Sequence, residues 1–281
     1  MPTILKTGDD LDLRKIAESG QCFRWTPAGD NAWRILSAGE CVRVTALGEG
    51  SFLFDCDETD FRAVWAPYFD LGEDYRTIRT RILRDADPFL RAAAERERGI
   101  RILRQDPWET LITFILSQNR NIPAIRRSVE LLCEMCGERK TDARGEAYFA
   151  FPAPEAVAAL EERDLKACRT GYRWAYVRAA AEAVLGGEIC LEALREMPCD
   201  ACVRRLTALR GVGGKVAACV ALFGLHQLDA FPRDVWINRI LAAEYPDGYP
   251  FARFSPWNGV CQQYMFAYCI HRERGAAGER P

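Results

Sequence analysis

A chain of 281 residues with 49% hydrophobic and 28% charged residues has the balance of an ordinary globular protein and exceeds the usual size of one domain. No apolar run approaches the roughly 20 residues of a membrane-spanning helix, and the first ten residues lack the apolar core of a secretion signal. The net charge of −2 argues against coating nucleic acid by bulk electrostatics, so such contact would need local basic patches. We expect a cytoplasmic protein without a membrane partner.

Twelve cysteines are scattered along the chain, which favours free thiols over a disulfide framework. Two CxxC pairs, Cys133/Cys136 and Cys199/Cys202, could together supply four ligands to a structural zinc ion. The first pair lies in a helical pattern, where cysteine packs as a small apolar residue, and we favour this structural interpretation. The chain has only two histidines, too few for a catalytic metal site with mainly histidine ligands.

The N-terminal third begins as short strands separated by turns rich in Gly and Asp, the pattern of an antiparallel meander. The predicted strands cover residues 22–25, 33–36, 41–45 and 51–55. A more helical stretch begins near residue 60, and Pro88 and Gly99 mark a junction. We therefore predict an antiparallel β domain over residues 1–95.

Helices dominate from Asp106 onward, where Pro107 opens a helix and an apolar run follows. Further helical patterns cover residues 124–136, 154–160, 175–185, 191–197, 202–209, 215–223, 235–244 and 259–271. The predicted fold class is α+β, with the antiparallel sheet domain packed on a mainly α-helical domain at residues 96–281.

A glycine-rich turn, Gly211-Val212-Gly213-Gly214, joins two predicted helices directly. Glycine permits left-handed backbone angles and leaves no side chain between the main chain and a ligand. The free N–H groups at the start of the second helix suit a phosphate. The motif alone is a weak signal, because proteins that only hold DNA also carry such helix-hairpin-helix turns.

Lys215 lies in the first turn of the otherwise apolar second helix, where the helix dipole disfavours a cation. Burial and the dipole together would favour the neutral amine, which is a nucleophile. A lysine that merely binds phosphate fits the local motif equally well. Asp234 favours the nucleophile, because it is placed to cap the helix from Val235 and to hold a carboxylate in a fixed direction.

The segments Gly211–Phe223 and Ala230–Trp236 together resemble the helix-hairpin-helix, Gly/Pro-rich, aspartate (HhH-GPD) superfamily of base-excision DNA glycosylases. The resemblance implies that Lys215 attacks the sugar of a damaged nucleotide, as in the bifunctional members, and that Asp234 assists. It implies no metal or organic cofactor, since the iron–sulfur branches carry four cysteines and only two cysteines follow Asp234.

Residues 20–25 resemble the matching stretch of the 8-oxoguanine DNA glycosylases, in which the carbonyl at the Gly20 position accepts the N7 hydrogen of the lesion. Guanine carries a lone pair at N7, so an acceptor there favours the lesion over the normal base. Gln262 and Phe266 match the residues that bind the Watson–Crick edge and stack on the base, and they lie four apart on one helical face. Cys219 matches the residue on the other face of the base. We also assign Phe223 to this pocket.

Residues 117–122 resemble the family loop whose first Asn, here Asn119, enters the gap left by the flipped base. Tyr172 and Arg173 match the wedge tyrosine and the arginine that bonds the estranged cytosine. The surrounding segment 166–178 has four basic residues, three aromatics and no acid, which suits contact with nucleic acid. DNA contacts are also expected at Gly211, Gly213 and Arg239.

Two positions depart from the human-type enzymes. Ala124 replaces a second arginine that reads the opposite cytosine, so reading of the opposite base is expected to be looser. A histidine after the aspartate is replaced in the segment 235–237, so phosphate contact there is expected to differ. Both features point to the bacterial, clostridial-like subgroup.

The resemblance spans residues 20–266 and implies a bifunctional 8-oxoguanine glycosylase and abasic-site lyase. Its partner would be double-stranded DNA with the lesion opposite cytosine, and it would act as a monomer near the bacterial nucleoid. Two alternatives stay open. A non-catalytic DNA-binding module would lack Lys215 and Asp234, which are present, and a glycosylase for other damaged bases would need groups other than Gly20, Gln262 and Phe266.

Overall fold

The computed structural model describes the backbone of residues 1–278 and the side chains of residues 1–273. A five-stranded antiparallel sheet forms the N-terminal part, in the order β1-β5-β4-β3-β2. Its strands are β1 (Thr3–Lys6), β2 (Trp25–Pro27), β3 (Ala32–Ser37), β4 (Glu40–Gly48) and β5 (Ser51–Phe54). The last three match predicted strands, whereas β1 was missed. The strand predicted at 22–25 is wrong, because β2 begins only at Trp25.

Buried apolar side chains alternate with more exposed ones along the strands, and this pattern decides which face of the sheet is buried. Ile35, Val42, Val44 and Phe54 are at most 1% exposed, and they meet across the ladder as the pairs Ile35–Val42 and Val44–Phe54. This face packs on the aromatic residues of a helical segment at 58–68, and the indole of Trp25 donates to the hydroxyl of Tyr68 at 2.7 Å. The sheet thus has its own core.

Helices make up most of the rest of the described chain. They are α1 (Leu13–Glu18), α2 (Glu58–Asp60), α3 (Ala66–Tyr68), α4 (Tyr75–Leu83), α5 (Pro88–Arg96), α6 (Pro107–Ser117), α7 (Ile122–Cys136), α8 (Pro154–Ala158), α9 (Glu162–Ala167), α10 (Trp174–Leu185), α11 (Leu191–Arg195), α12 (Cys199–Thr207), α13 (Gly214–Phe223), α14 (Val235–Glu244), α15 (Phe251–Phe254) and α16 (Asn258–Gly278). A π-helical turn at Phe61–Trp65 joins α2 to α3, and a short hairpin of β6 (Arg139–Thr141) and β7 (Ala147–Phe149) follows α7.

The predicted α+β class, with an antiparallel sheet packed on a mainly helical part, is confirmed. The eight predicted helices after α6 begin within three residues of the observed positions, and only the last runs well past its predicted end, to Gly278. The hairpin β6–β7 and helices α1, α9 and α15 were not predicted. The boundary near residue 95 stays a prediction. No helix of the described chain is long and apolar enough to cross a membrane.

Two helices without a polar face form the centre of the larger core. Along α6 every residue from Pro107 to Leu116 except Glu109 is buried, and along α13 every residue from Val216 to Phe223 is buried. The two helices pack together, and the ring of Phe114 stacks on that of Phe223 with centroids 5.6 Å apart. The start of α13, at the surface, is thereby fixed relative to the core.

Polar contacts join the segment after α3 to the residues that precede α6 and follow α13. Arg101 is 1% exposed and donates to the carbonyl oxygens of Phe69 (3.0 Å) and Asp70 (2.6 Å). The carboxylate of Asp70 contacts His226, just after α13, at 3.0 Å and Arg104 at 2.6 Å. Burial opposes ionisation of Asp70, but the contacts with His226 and Arg104 lower its pKa to about 2.

Glu109 gives the fold a measurable pH dependence. Although part of the residue is exposed, its carboxyl oxygen Oε2 is buried without a hydrogen-bond partner. This burial raises the pKa of the carboxyl to about 7, and the nearby charge of Arg24 only partly offsets it. Because the folded pKa lies above the unfolded value near 4.5, the native chain is most stable, as far as this group is concerned, below pH 4.5 and loses stability as pH rises through 7. When pH is raised from 5 to 8, the free energy of unfolding of the native chain should therefore fall by about 2 kcal/mol relative to that of Glu109→Gln.

Denaturant unfolding at the two pH values measures this difference. Glu109 and Glu138 line one surface cavity, and Glu138→Gln, which removes an exposed carboxylate there, serves as the control. An equal pH dependence in the native chain and in Glu109→Gln would mean that Glu109 ionises as freely in the folded state as in the unfolded one.

Candidate active site

The hairpin between α12 and α13 presents two glycines with different roles. Gly211 adopts φ +81°, and a Cβ atom there would overlap the ring of Tyr176. Gly213 caps α13 with φ −85°, and no atom lies within 4 Å of a Cβ atom placed on it or on Gly214. Gly211 therefore serves the packing of the turn, while Gly213 and Gly214 leave the N-terminus of α13 open to a ligand such as a phosphate.

Alanine substitutions separate these two roles. Gly211→Ala is expected to lower the free energy of unfolding by about 2 kcal/mol or more, through left-handed strain and the clash with Tyr176. Gly213→Ala is expected to change it by less than about 1 kcal/mol but to weaken DNA binding, because a methyl group would stand between phosphate and backbone. Thermal unfolding and a DNA-binding titration of both variants check this. Equal stability of the two variants would contradict it.

Lys215 is exposed in the first turn of α13, so the expected burial is wrong. The reason is its place beside the open glycines, outside the buried part of the helix. Its Nζ lies 5.1 Å from the centroid of the Phe114 ring. It also lies within hydrogen-bond reach of Cys219, one turn further along α13. The amine is thus accessible to a reactant and held over the wall of the cavity described below.

Cys219 is a neutral neighbour of this amine. Burial raises the pKa of its thiol to about 11, although the hydrogen bond and charge of Lys215 act in the opposite direction. At neutral pH the group is a thiol and offers a small, polarisable surface. It therefore suits contact with the face of a base better than it suits a nucleophilic role.

Asp234 is held as the sequence predicts. Its carboxylate accepts a hydrogen bond of 2.8 Å from the backbone N–H of Ile237 and caps α14. It lines the same cavity as Lys215, at the mouth between α13 and the loop before α14. A nucleophile and a carboxylate with a fixed direction thus share one small space.

This cavity of about 50 Å³ gathers the predicted catalytic and base-binding groups. Seven of its lining residues were predicted: Gly20, Lys215, Cys219, Phe223, Asp234, Gln262 and Phe266. Four were not: Ser19, Phe114, Pro232 and Gln263. Ser19 and Gln263 adjoin predicted residues in the chain, and Pro232 lies two residues before Asp234. Nothing local in the sequence distinguishes Phe114 from the other apolar residues of α6.

The cavity is narrow because one ring lies across it. Phe266 packs against Gly20, with ring atom Cε1 3.3 Å from the position that a Cβ would take, which is a tight contact. Gly20 also adopts φ +76°, a left-handed conformation that favours glycine. A volume of about 50 Å³ holds one or two water molecules and is smaller than a purine. A base can enter only if a wall such as the Phe266 side chain moves.

The amide of Gln262 is oriented by neighbours on both sides. It is 3% exposed, its Nε2 donates to the carbonyl of Pro232 at 3.2 Å, and its Oε1 accepts from Nε2 of Gln263 at 2.9 Å. A buried amide with both ends engaged has a defined donor and acceptor direction. Such a group can distinguish bases by their hydrogen-bonding edges.

The predicted strand-separating residues come from two loops that meet outside the cavity. Asn119 and Tyr172 are 53 positions apart, yet Nδ2 of Asn119 lies 3.4 Å from the hydroxyl of Tyr172, and Tyr172 is 52% exposed. Arg173 is only 5% exposed and donates to the carbonyls of Gln118 and Thr170. In this state its guanidinium is engaged, and its role toward an opposite base stays a prediction.

Arg239 lies apart from these groups. It is exposed on α14, its guanidinium lies 5.2 Å from the centroid of the Trp236 ring, and both line a separate groove with Phe89 and Cys269. A DNA contact by Arg239 stays a prediction. As for the CxxC pairs, Cys133 and Cys202 are buried, and the described residues contain no group of three or more His, Cys, Asp or Glu placed to hold a metal ion.

Comparison with protein families divides the chain in two. Residues 3–111 match the model of the 8-oxoguanine DNA glycosylase N-terminal domain. Residues 112–245 match the model of the HhH-GPD superfamily of base excision DNA repair proteins. The two matches adjoin, and the second contains the hairpin, Lys215 and Asp234.

Individual proteins resemble the chain over nearly its full length. A probable N-glycosylase/DNA lyase of Methanothermobacter thermautotrophicus is 31% identical, over 84% of this chain and 83% of that protein. A similar solved structure is that of the 8-oxoguanine glycosylase/lyase of Clostridium acetobutylicum in complex with double-stranded DNA containing cytosine opposite 8-oxoguanine. That protein is 31% identical with a TM-score of 0.88, covering 96% of this chain and 98% of that one. A 3-methyladenine DNA glycosylase from Archaeoglobus fulgidus shares the fold alone. It is 16% identical with a TM-score of 0.76, covering 96% of this chain and 98% of that one.

Proposed function

The chain belongs to the family of helix-hairpin-helix 8-oxoguanine N-glycosylase/DNA lyases, and from this membership we propose that it removes 8-oxoguanine from duplex DNA and then cleaves the strand. The family predicted from the sequence is thereby confirmed. The observation that carries the proposal is the convergence of Lys215, Asp234 and the base-binding residues on one cavity. A DNA-binding module without catalysis would have no need of this arrangement.

Base recognition follows from the walls of the cavity. With the Phe266 ring displaced, a base would lie between that ring and the thiol of Cys219. The carbonyl of Gly20 would then accept the N7 hydrogen that the oxidised base has and guanine lacks. The amide of Gln262, oriented by Pro232 and Gln263, would bind the Watson–Crick edge.

The reaction begins with the lesion turned out of the duplex, because its C1′ carbon cannot be reached within the stack. The amine of Lys215, after loss of its proton, attacks C1′, and the glycosidic bond breaks with its electron pair leaving on the base, which takes up a proton. Asp234 stabilises the positive charge that develops on the sugar. Opening of the sugar ring and loss of a proton from the amine give a Schiff base.

Strand cleavage follows from the same intermediate. The protonated imine acidifies the hydrogen on C2′, and its removal expels the 3′ phosphate by β-elimination. Asn119 and Tyr172 would occupy the space left by the flipped nucleotide, since they form one exposed pair at the surface. Gly211 and Gly213 would set the hairpin against the phosphates of the same strand.

We further propose that one chain is sufficient and that it acts in the cytoplasm near the nucleoid. Every proposed catalytic and base-binding group comes from a single chain, which supports action as a monomer. All twelve cysteines are unpaired, which supports a reducing compartment.

A lesion panel tests the substrate. Single-turnover base release is measured on duplexes that carry 8-oxoguanine, guanine, 3-methyladenine or hypoxanthine at one site opposite cytosine. We expect release of 8-oxoguanine alone, and a loss of about 10- to 100-fold in Gln262→Ala, because that variant leaves the Watson–Crick edge without partners. Faster release of an alkylated base than of 8-oxoguanine would support a glycosylase for other lesions and contradict this function.

A further inference from the structure

The two loops that carry Asn119 and Tyr172 share an unusual backbone feature. Each holds a residue other than glycine in the left-handed region, Asn119 at φ +51° and Arg169 at φ +57°. Asparagine enters this region readily, but for arginine it is unfavourable. A strained backbone that persists at a surface loop is held in place by its surroundings and is often found at functional sites.

Hydrogen bonds fix the backbone of Arg169 against α7. Its carbonyl accepts from the guanidinium of Arg120 and from the hydroxyl of Ser128 at 3.2 Å. The guanidinium of Arg120 also donates to Ser128 at 2.6 Å. Ser128 follows Ala124 by four residues, so both lie on one face of α7, about one helical turn apart. The backbone of Arg169 is thus anchored to α7 and to Arg120, the residue that follows Asn119.

Three arginines lie in this corner, and Arg120 and Arg173 are held by hydrogen bonds within the protein. Arg120 and Arg173 donate to backbone carbonyls, and burial together with the charge of Arg173 lowers the pKa of Arg120. Arg169 is exposed, and its guanidinium has no hydrogen bond or ion pair within the part of the chain whose side chains are described. A positive group without a partner, beside the exposed Tyr172, is available to a ligand.

We propose that Arg169 reads the base opposite the lesion and favours cytosine. The inference rests on the proposed function, in which the flipped nucleotide leaves the opposite base unpaired next to Asn119 and Tyr172. Cytosine presents two adjacent acceptors, O2 and N3, on its Watson–Crick edge, which match two parallel N–H donors of a guanidinium. Adenine, thymine and guanine each present a donor beside an acceptor on that edge, so they cannot accept both parallel N–H donors of the guanidinium at adjacent positions. Ala124, one turn before Ser128 on the same face of α7, offers no competing polar group.

Arg169→Asn tests the proposal, because asparagine tolerates the left-handed backbone and cannot form the two-donor contact. Base release from 8-oxoguanine is measured under single-turnover conditions with cytosine, adenine, thymine, guanine or a stable abasic sugar opposite the lesion. We expect the native preference for cytosine over adenine to fall about 10- to 100-fold in the variant, while release opposite the abasic sugar is unchanged. Arg163→Asn, an exposed arginine of α9, is the control and should keep the native preference.

Three outcomes would overturn the inference. An equal loss with every opposite partner, together with a weaker salt dependence of binding, would assign Arg169 to a phosphate. An unchanged preference in the variant would remove it from the interface. If the native chain releases no 8-oxoguanine at all, the proposed function fails. The same duplexes with a tetrahydrofuran abasic analogue in place of the lesion then test Arg169 by affinity, and equal discrimination in native and variant chains would overturn its role.

Discussion

Replacement of Lys215 by Gln is expected to abolish strand cleavage and to slow base release by on the order of 10⁴-fold or more. Glutamine keeps much of the length and polarity of the side chain, but its amide nitrogen is not a nucleophile and cannot form a Schiff base. Single-turnover assays on a labelled duplex with one 8-oxoguanine opposite cytosine measure both steps. Lys6→Gln removes an exposed lysine at the end of β1, outside the proposed DNA contacts, and should retain native rates.

The same substitution should have little effect on folding, since Lys215 is exposed and its side chain is outside the core. We expect a change in unfolding free energy within about 0.5 kcal/mol. Base release within tenfold of the native rate, with strand cleavage lost, would contradict attack by Lys215 on the intact nucleotide. It would assign the first step to water and leave the lysine a role after base release.

Replacement of Asp234 by Asn is expected to lower the rate of base release by about 10²- to 10⁴-fold with little loss of stability. Asparagine caps a helix about as well as aspartate, so the hydrogen bond to Ile237 can persist while the negative charge is lost. Asp74→Asn makes the same change at the N-cap of α4, where the carboxylate accepts from Thr77, and should leave the rate native.

Thermal unfolding and single-turnover kinetics of the two Asp→Asn variants separate capping from catalysis. A native rate in Asp234→Asn would show that the residue acts only as a cap. A fall in rate accompanied by a large fall in melting temperature would leave the electrostatic role of Asp234 without support.

Local signals in the sequence predicted much of the helical part. The glycine-rich turn defined the start of α13, and Asp234 followed by an apolar helix defined the start of α14. Both boundaries depend on interactions within a few residues, such as capping and left-handed glycine. For that reason they can be read without knowledge of the fold.

Elements stabilised by distant contacts were predicted less well. The segment before Trp25 was predicted as a strand, but only the carbonyl of Arg24 bonds to β3, accepting from the N–H of Leu36 at 3.1 Å. The buried side chain of Arg24 pairs instead with Glu130 of α7 at 2.8 Å. The hairpin β6–β7 was missed because its strands have three residues each, too few for an alternating pattern. In the first case a tertiary contact competes with local propensity, and in the second the local signal is too short to recognise.

In the candidate site, too, the features set by local sequence were predicted and those set by tertiary contacts were not. The residues of the cavity wall that the motifs mark were predicted, while Phe114 was not, because it becomes part of the site only where α6 crosses α13. Burial of Lys215 was predicted from the apolar character of α13, yet the first turn of that helix projects beyond the core. Position along a helix decided the exposure of this residue more than the composition of the helix did.

The central claim is that Lys215 forms a covalent bond to the sugar of an 8-oxoguanine nucleotide. The most direct measurement is reduction with borohydride during reaction with a duplex containing 8-oxoguanine opposite cytosine, followed by peptide mapping of the adduct by mass spectrometry. We predict an adduct on the peptide that carries Lys215, and none with a duplex in which guanine replaces the lesion. An adduct on another lysine, or no adduct while the base is released, would contradict the claim.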